Sequence, residues 1–300
     1  MSRIHEALKR AEQERGNRIE AVSPKDPSAS AMSSEQNASP GSTSPFLASE
    51  FSFDALVARC PQNHWSPDLT TMLFFSSEEQ VHGTEEFRTL RSRLYQLREN
   101  RPLKKILVTS ALPREGKSFV AANLAQVLVR QHGRRVLLID GDLRASRLHM
   151  ALGTPPAPGL VEYLLGEIDE FAVMQRGPME NLFFVSSGRT ISNPAELVAN
   201  GRMQLLLDRV ESIFDWVIID SPPAVPVSDA GLMANTCDGV LMVVRSQATP
   251  FDIARKAQKE FRVQQLVGVV LNAIEARSMP YSQYYYPASG KPNGKTAAQR

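Results

Sequence analysis

Along the middle of the chain, apolar residues come in short unbroken runs, separated by stretches where they recur every three or four positions. The runs are KKILVTS (104–110), RRVLLIDGD (134–142), LFFVSSG (182–188), WVIIDSPP (216–223), GVLMVVR (239–245) and LVGVVLNAI (266–274). Such runs, rich in β-branched residues, predict strands buried on both faces. Within 119–131, Val120, Leu124, Val127 and Leu128 stand at i, i+4, i+7 and i+8, which predicts a helix that Gly133 stops. Further helices are expected at 159–166, 194–211, 228–236 and 250–263. Continuously apolar strands alternating with helices imply an α/β fold: a doubly wound, mostly parallel sheet covered by helices on both faces.

The flanks read differently. In 84–97, Phe87, Leu90, Leu94 and Leu97 share one helical face, with Thr84 expected as N-cap and Glu85 and Glu86 in the first turn. Residues 51–79 carry apolar side chains without a period and are expected to pack irregularly on the edge of the domain that follows. Residues 21–50 are mostly Ser, Pro and Ala, a composition expected of a disordered linker, and 1–20 place Ile4, Leu8 and Ala11 as a short amphipathic helix. The central domain is expected to span 80–278, followed by a flexible tail over 279–300.

Composition narrows the class only a little. The 300 residues are 42% hydrophobic and 22% charged, as in an ordinary globular chain rather than a collagen or a mucin. A formal charge of +2 gives no reason to expect nucleic acid as a partner. Two cysteines, Cys60 and Cys237, stand in no metal-ligand spacing, so neither a disulfide framework nor a zinc site is expected, and a reducing cytoplasm fits. No run approaches the ~18 uninterrupted apolar residues of a membrane span. Attachment to a membrane would therefore need a partner.

Chemistry concentrates where strands end. The first run leads through ALPREGKS into a helix, the strand, loop and helix context of a phosphate-binding loop. Pro113, Arg114, Glu115, Gly116, Lys117, Ser118 and Phe119 are the candidate nucleotide-binding residues, Lys117 as a point charge on the phosphates and Ser118 as a magnesium ligand. Ala111 stands where the usual motif begins with glycine. Asp140 and Asp142 close the second run and Asp220 the fourth, so three carboxylates sit at the carboxyl ends of parallel strands, where such folds bind ligands. Any one of them alone is as easily a cap. Together with the loop they suit Mg²⁺ and a nucleotide triphosphate, with Asp142 and Asp220 as candidate metal ligands beside Ser118.

The ordered series SALPREGKS, VLLIDGDLR, NPAEL, DWVIIDSPP, SDA and GVVLN, over about residues 80–286, resembles the bacterial protein-tyrosine kinases of capsule and exopolysaccharide biosynthesis. These are a branch of the deviant P-loop ATPases, and the opening MSRIHEALKRA is similar to soluble, exosortase-associated members. The resemblance implies an ATP- and Mg²⁺-dependent autokinase that regulates polysaccharide polymerisation and export. Its catalytic residues would be Lys117, Asp140, Asp142 and Asp220, with Asp140 the first candidate to orient or deprotonate the tyrosine hydroxyl and Asp142 able to exchange roles with it. It further implies a ring-shaped homo-oligomer assembled through Glu85, Arg88 and Arg91, which are otherwise a solvated helix face. Autophosphorylation would fall on Tyr281, Tyr284, Tyr285 and Tyr286, transferred in trans. Asn272 matches a position that reads the purine. The partner implied is a membrane-bound polysaccharide chain-length or activator protein that recruits the kinase to the inner face of the membrane. The competing reading is a partitioning or division-site ATPase, which carries a second lysine in the loop where this chain has Leu112. Arg144 suits either a phosphate or an ion pair.

Overall fold

A computed structural model describes residues 51–75 and 83–274; the expected helix over 1–20, the linker over 21–50 and the tail tyrosines lie outside the described residues. The first described helix is α1 (Phe53–Arg59), with the Ser52 hydroxyl accepting from the Ala55 amide, and the second is α2 (Thr84–Asn100). From there strands and helices alternate: β1 (Lys105–Ser110), α3 (Lys117–Val129), β2 (Val136–Asp140), α4 (Leu148–Leu152), α5 (Leu160–Leu164) and α6 (Glu170–Val173). They continue as β3 (Gln175–Arg176), β4 (Leu182–Val185), α7 (Pro194–Val198), α8 (Arg202–Glu211), β5 (Trp216–Asp220) and α9 (Asp229–Ala234). The last are β6 (Gly239–Arg245), α10 (Phe251–Lys259) and β7 (Leu266–Asn272).

Among the described residues the sheet runs β3-β4-β2-β5-β1-β6-β7, parallel throughout except for β3, which pairs antiparallel with β4 at the edge. Every residue of β1, β2 and β5 is buried because both faces are covered. Leu107, Leu137 and Ile219 point into one core under α5, α8 and α9, while Ile106, Leu138 and Ile218 point into the other under α2 and α3. The order β2-β5-β1 brings the acidic strand ends together. It sets Asp140 in register with Asp220, and Asp220 in register with Val108 two residues before the end of β1.

Four boundaries depart from expectation. Residues 51–75 do more than cover an edge: Leu56 enters one core, whereas Trp65, Met72, Leu73 and Phe74 enter the other. This covering buries α3 continuously from Val120 to Val129 instead of along one stripe. Its polar residues then serve the covering segment, for Asn123 Oδ1 accepts from the Leu73 amide at 2.9 Å and Gln126 Oε1 from the Phe74 amide at 3.2 Å. Helix α3 ends at Val129, ahead of Gly133, which sits in the turn to β2. The stretch 194–211 is two helices, because Asn200 Oδ1 takes the Arg202 amide and restarts the helix there. Helix α2 begins at Thr84, with Gly83 rather than Thr84 as its N-cap.

Candidate active site

Between β1 and α3, residues 111–116 wrap the N-terminus of α3, whose first amides have no partner inside the helix and whose dipole favours an anion. Gly116, the N-cap, has φ of 96°, and a Cβ there would stand 1.9 Å from Asn272 Nδ2. Only glycine fits that point of the loop without strain. Across the sheet, Gly141 plays a comparable part: its amide donates to the Asp220 carbonyl at 2.9 Å, and a Cβ would meet that carbonyl at 2.7 Å. The close approach brings the end of β2 against the end of β5 and turns Asp142 toward the phosphate loop.

The result is a cleft of about 580 Å³ lined by Pro113, Arg114, Gly116, Lys117, Ser118, Phe119, Asp142, Arg144, Ala145, Arg147, Pro222, Pro223, Pro226 and Val227. A larger cavity, about 740 Å³ between α5, α6 and α8, is lined by Glu167, Asp169 and Glu170, but these pair with Arg189, Arg59 and Arg209 and no phosphate loop stands there, so volume alone does not mark the site. Lys117 Nζ lies 2.8 Å from Asp142 Oδ2. Burial works to lower the Lys117 pKa, but Asp220, Asp142 and Asp140 outweigh it and hold the ammonium charged, above its ordinary value.

The three aspartates differ in what already occupies them. Asp140 is fully buried and saturated: Oδ1 accepts from the Asp142 amide at 3.2 Å, and Oδ2 accepts from Ser146 Oγ at 2.7 Å and the Leu148 amide at 3.2 Å. Asp142 Oδ1 takes the Arg144 and Ala145 amides, leaving Oδ2 on Lys117. Asp220 is equally buried, yet neither of its oxygens has a hydrogen-bond partner among the described residues. Burial raises the pKa of both Asp140 and Asp220; Asp142 raises that of Asp140 further, and Asp140 and Asp142 raise that of Asp220. Lys117 and the nearby Ser118 hydroxyl pull Asp220 partly back, although Ser118 does not reach hydrogen-bond geometry. A buried carboxylate with unshared lone pairs beside an ammonium and a helix N-terminus offers the donor set that suits a cation with a phosphate attached.

Some expected site residues stand elsewhere. The Glu115 side chain turns away from the cleft and is buried, which leaves its backbone as the part that can meet a phosphate; its oxygens take the Leu112 amide at 2.8 Å and the Thr249 hydroxyl. Asn272 lies behind Gly116 and donates to the Glu115 carbonyl at 2.9 Å, a role in shaping the loop. Arg144 is engaged as a bidentate partner of the buried Asp229, at 2.8 and 3.0 Å. Of the assembly residues, Glu85 and Arg88 form an exposed ion pair, but Arg91 turns inward and donates to the Val127 carbonyl at 3.1 Å. Arg91→Ala should therefore lower the melting temperature by several degrees, as for a hydrogen bond from a charged donor, whereas Arg88→Ala should leave it unchanged. Thermal scans separate the two, and Arg88 is the cleaner probe of assembly.

The missed residues are those that make contacts rather than motifs: Thr249 and Arg245 on the phosphate loop, Arg147 on the cleft wall, and Asp229 beneath Arg144. Only Asp229, within SDA, carried a signal in the sequence.

Residues 105–254 match the AAA domain family. Tyrosine-protein kinase YwqD of Bacillus subtilis (strain 168) is 34% identical over 212 residues, covering 70% of this chain and 88% of that protein. The kinase domain of the Escherichia coli tyrosine kinase ETK superposes with a TM-score of 0.64 at 29% identity, over 72% of this chain and 84% of that one. The septum site-determining protein MinD of Pyrococcus horikoshii, complexed with Mg-ADP, superposes at 0.50 and 20% identity over 62% of this chain and 78% of that one, a likeness of fold. With a nucleotide-binding P-loop fold and this degree of identity over this span, the chain belongs to the family of bacterial tyrosine-protein kinases.

Proposed function

We propose that the chain transfers the γ-phosphoryl group of ATP to tyrosine hydroxyls, first those of Tyr281, Tyr284, Tyr285 and Tyr286 on a neighbouring copy. The observation that carries this reading is Asp220: a buried carboxylate with no hydrogen-bond partner among the described residues, beside Lys117 at the mouth of a phosphate loop. Mg²⁺ bound by Ser118 and Asp220 would neutralise charge on the phosphate oxygens. Lys117, already held ionised, moves from Asp142 to the β- and γ-phosphates, and the amides at the start of α3 take the remaining oxygens. Arg114 and Arg147, both exposed and lining the cleft, add positive potential for the incoming anion.

Asp142 replaces Asp140 as the group that meets the tyrosine hydroxyl. It lines the cleft and is freed on one oxygen when Lys117 turns to phosphate, whereas Asp140 is committed to the turn that presents it. Catalysis then rests on positioning and charge, with little covalent work for the protein. Leu112, at the place of the second lysine of a partitioning ATPase, packs its side chain against the core, and no observation favours that reading.

In the cell this activity would regulate polymerisation and export of an exopolysaccharide or capsule, as a homo-oligomer recruited to the membrane by a chain-length or activator protein. No described helix is long and apolar enough to cross a membrane itself. The test is incubation with labelled ATP and Mg²⁺ and detection of phosphotyrosine, for wild type and for the variant with all four tail tyrosines replaced by Phe. Wild type should label on tyrosine and the quadruple variant should lose most of the label; equal labelling of both would remove the tail from the reading, and no labelling of either would remove the kinase.

A further inference from the structure

The phosphate loop is gripped from outside as well as by its own helix. Three contacts reach it from the carboxyl ends of β6 and β7. Thr249, in the turn between β6 and α10, donates its hydroxyl to Glu115 Oε1; Asn272, the last residue of β7, donates to the Glu115 carbonyl at 2.9 Å; and Arg245 Nη1 reaches the Arg114 carbonyl at 3.4 Å. The two strand ends are tied together, since the Ser246 amide donates to the Asn272 carbonyl at 2.9 Å.

Thr249 is the member whose geometry leaves no freedom. Its oxygen accepts from the Arg245 amide at 3.2 Å, so its own proton has Glu115 as its target. Glu115 is 3% exposed, and leaving either oxygen of a buried carboxylate without a donor costs stability. The other oxygen closes the loop on itself through the Leu112 amide at 2.8 Å. One carboxylate thus joins the first half of the loop to a turn more than a hundred residues away in sequence. The backbone agrees: Arg114, Gln247 and Ala273, one in each of the three segments, have φ of 66°, 58° and 55°. Residues other than glycine hold that conformation where the surroundings over-determine it.

We propose that Thr249 is a positioning residue for ATP: through Glu115 it holds the phosphate loop in its binding shape before nucleotide arrives. The proposal rests on the cleft being the ATP site. Because the loop binds phosphate in ground state and transition state alike, loss of the latch should fall on affinity rather than on the chemical step. Thr249→Val keeps the shape and the backbone contacts but leaves Glu115 Oε1 buried without a donor. The expected result is a rise of about tenfold in KM for ATP and in Kd for a fluorescent ATP analogue, the scale of a hydrogen bond to a charged group. kcat should stay within about twofold. Thr249→Ser should restore both constants, and Glu115→Gln, with only one acceptor oxygen, should reproduce the defect.

A structural role alone would lower the melting temperature of Thr249→Val and leave the KM-to-kcat split absent. Unchanged ATP affinity in Thr249→Val, or a Thr249→Ser variant as weak as the valine, overturns the latch while the nucleotide site stands. A wild type that fails to bind the analogue overturns the site and the latch with it.

Discussion

Lys117→Met should reduce tyrosine phosphorylation by about a thousandfold or more, the scale seen when a preorganised charge or donor is removed from a reacting anion. The loss follows from what the ammonium touches. It is nearly buried, 2.8 Å from Asp142 Oδ2, and it is the positive charge that offsets Asp140, Asp142 and Asp220. Methionine fills much the same volume but gives those carboxylates nothing, and breaking a buried pair from one side costs about 3–5 kcal/mol where the remaining charge stays ionised. The cluster has a cheaper course, which is to take up a proton. Losing the ammonium raises the carboxylate pKa values further, so the folded variant binds more protons than the unfolded chain across a wider pH range. Its stability is retained in acid and lost as pH rises, more steeply than in wild type. Phosphotyrosine immunoblotting gives the first half of this expectation, and thermal scans at pH 6 and pH 8 give the second. A variant that still autophosphorylates would remove the cleft from the mechanism, and a variant with the pH profile of wild type would mean that Lys117 does not balance the carboxylates.

The strands of the sheet are legible from apolar runs because a strand buried on both faces needs no alternation, and the loop ALPREGKS stands out because its strand and helix flank it at once. What a single sequence does not display is which strands are neighbours. Asp140 and Asp220 are separated by eighty positions, and only the order β2-β5-β1 makes them face one another beside Lys117. Residues 51–75 show no period because their apolar side chains serve two cores, Leu56 on one side of the sheet and Trp65 and Phe74 on the other. Asn123 and Gln126 lie off the apolar stripe Val120, Leu124, Val127 and Leu128, and the structure makes them buried acceptors for the amides of Leu73 and Phe74. Side-chain charge is taken up in the same way at Glu115 and Arg91. Both suggest a ligand or a partner in one dimension, and both are spent within the fold, on Leu112 and Thr249 and on the Val127 carbonyl. Thr249 carries no motif at all, since its importance lies wholly in what it reaches.

Asp220→Asn should move activity and stability in opposite directions. The side chain keeps its shape, but the negative charge that would hold Mg²⁺ at the phosphates is gone, so turnover should fall by about two orders of magnitude or more. Stability without ligand follows from proton linkage. Burial first, then Asp140 and Asp142, push the Asp220 pKa from its ordinary 3.8 up to about 7 against the pull of Lys117. The folded state therefore holds a proton that the unfolded chain has already released, through the window from about pH 4 to pH 7. Stability from this group is full below the lower limit and is lost as pH rises through the upper one. Asparagine does not titrate, so its variant should escape that loss, and Asp142 remains to pair with Lys117. At pH 8 the variant should be more stable than wild type by a few kcal/mol, since one pKa unit corresponds to about 1.4 kcal/mol, which is a rise of several degrees in melting temperature. At pH 4, where both states of wild type hold the proton, the two should converge. Mg²⁺ and ATP should reverse the order, raising the wild-type melting temperature at pH 8 and leaving the variant nearly where it was. Thermal scans at both pH values, with and without Mg²⁺ and ATP, read all four quantities. Equal turnover would make Asp220 a structural residue, and a ligand-free variant less stable than wild type at pH 8 would show that the carboxylate has a partner there whose loss outweighs the relief of burying a charge.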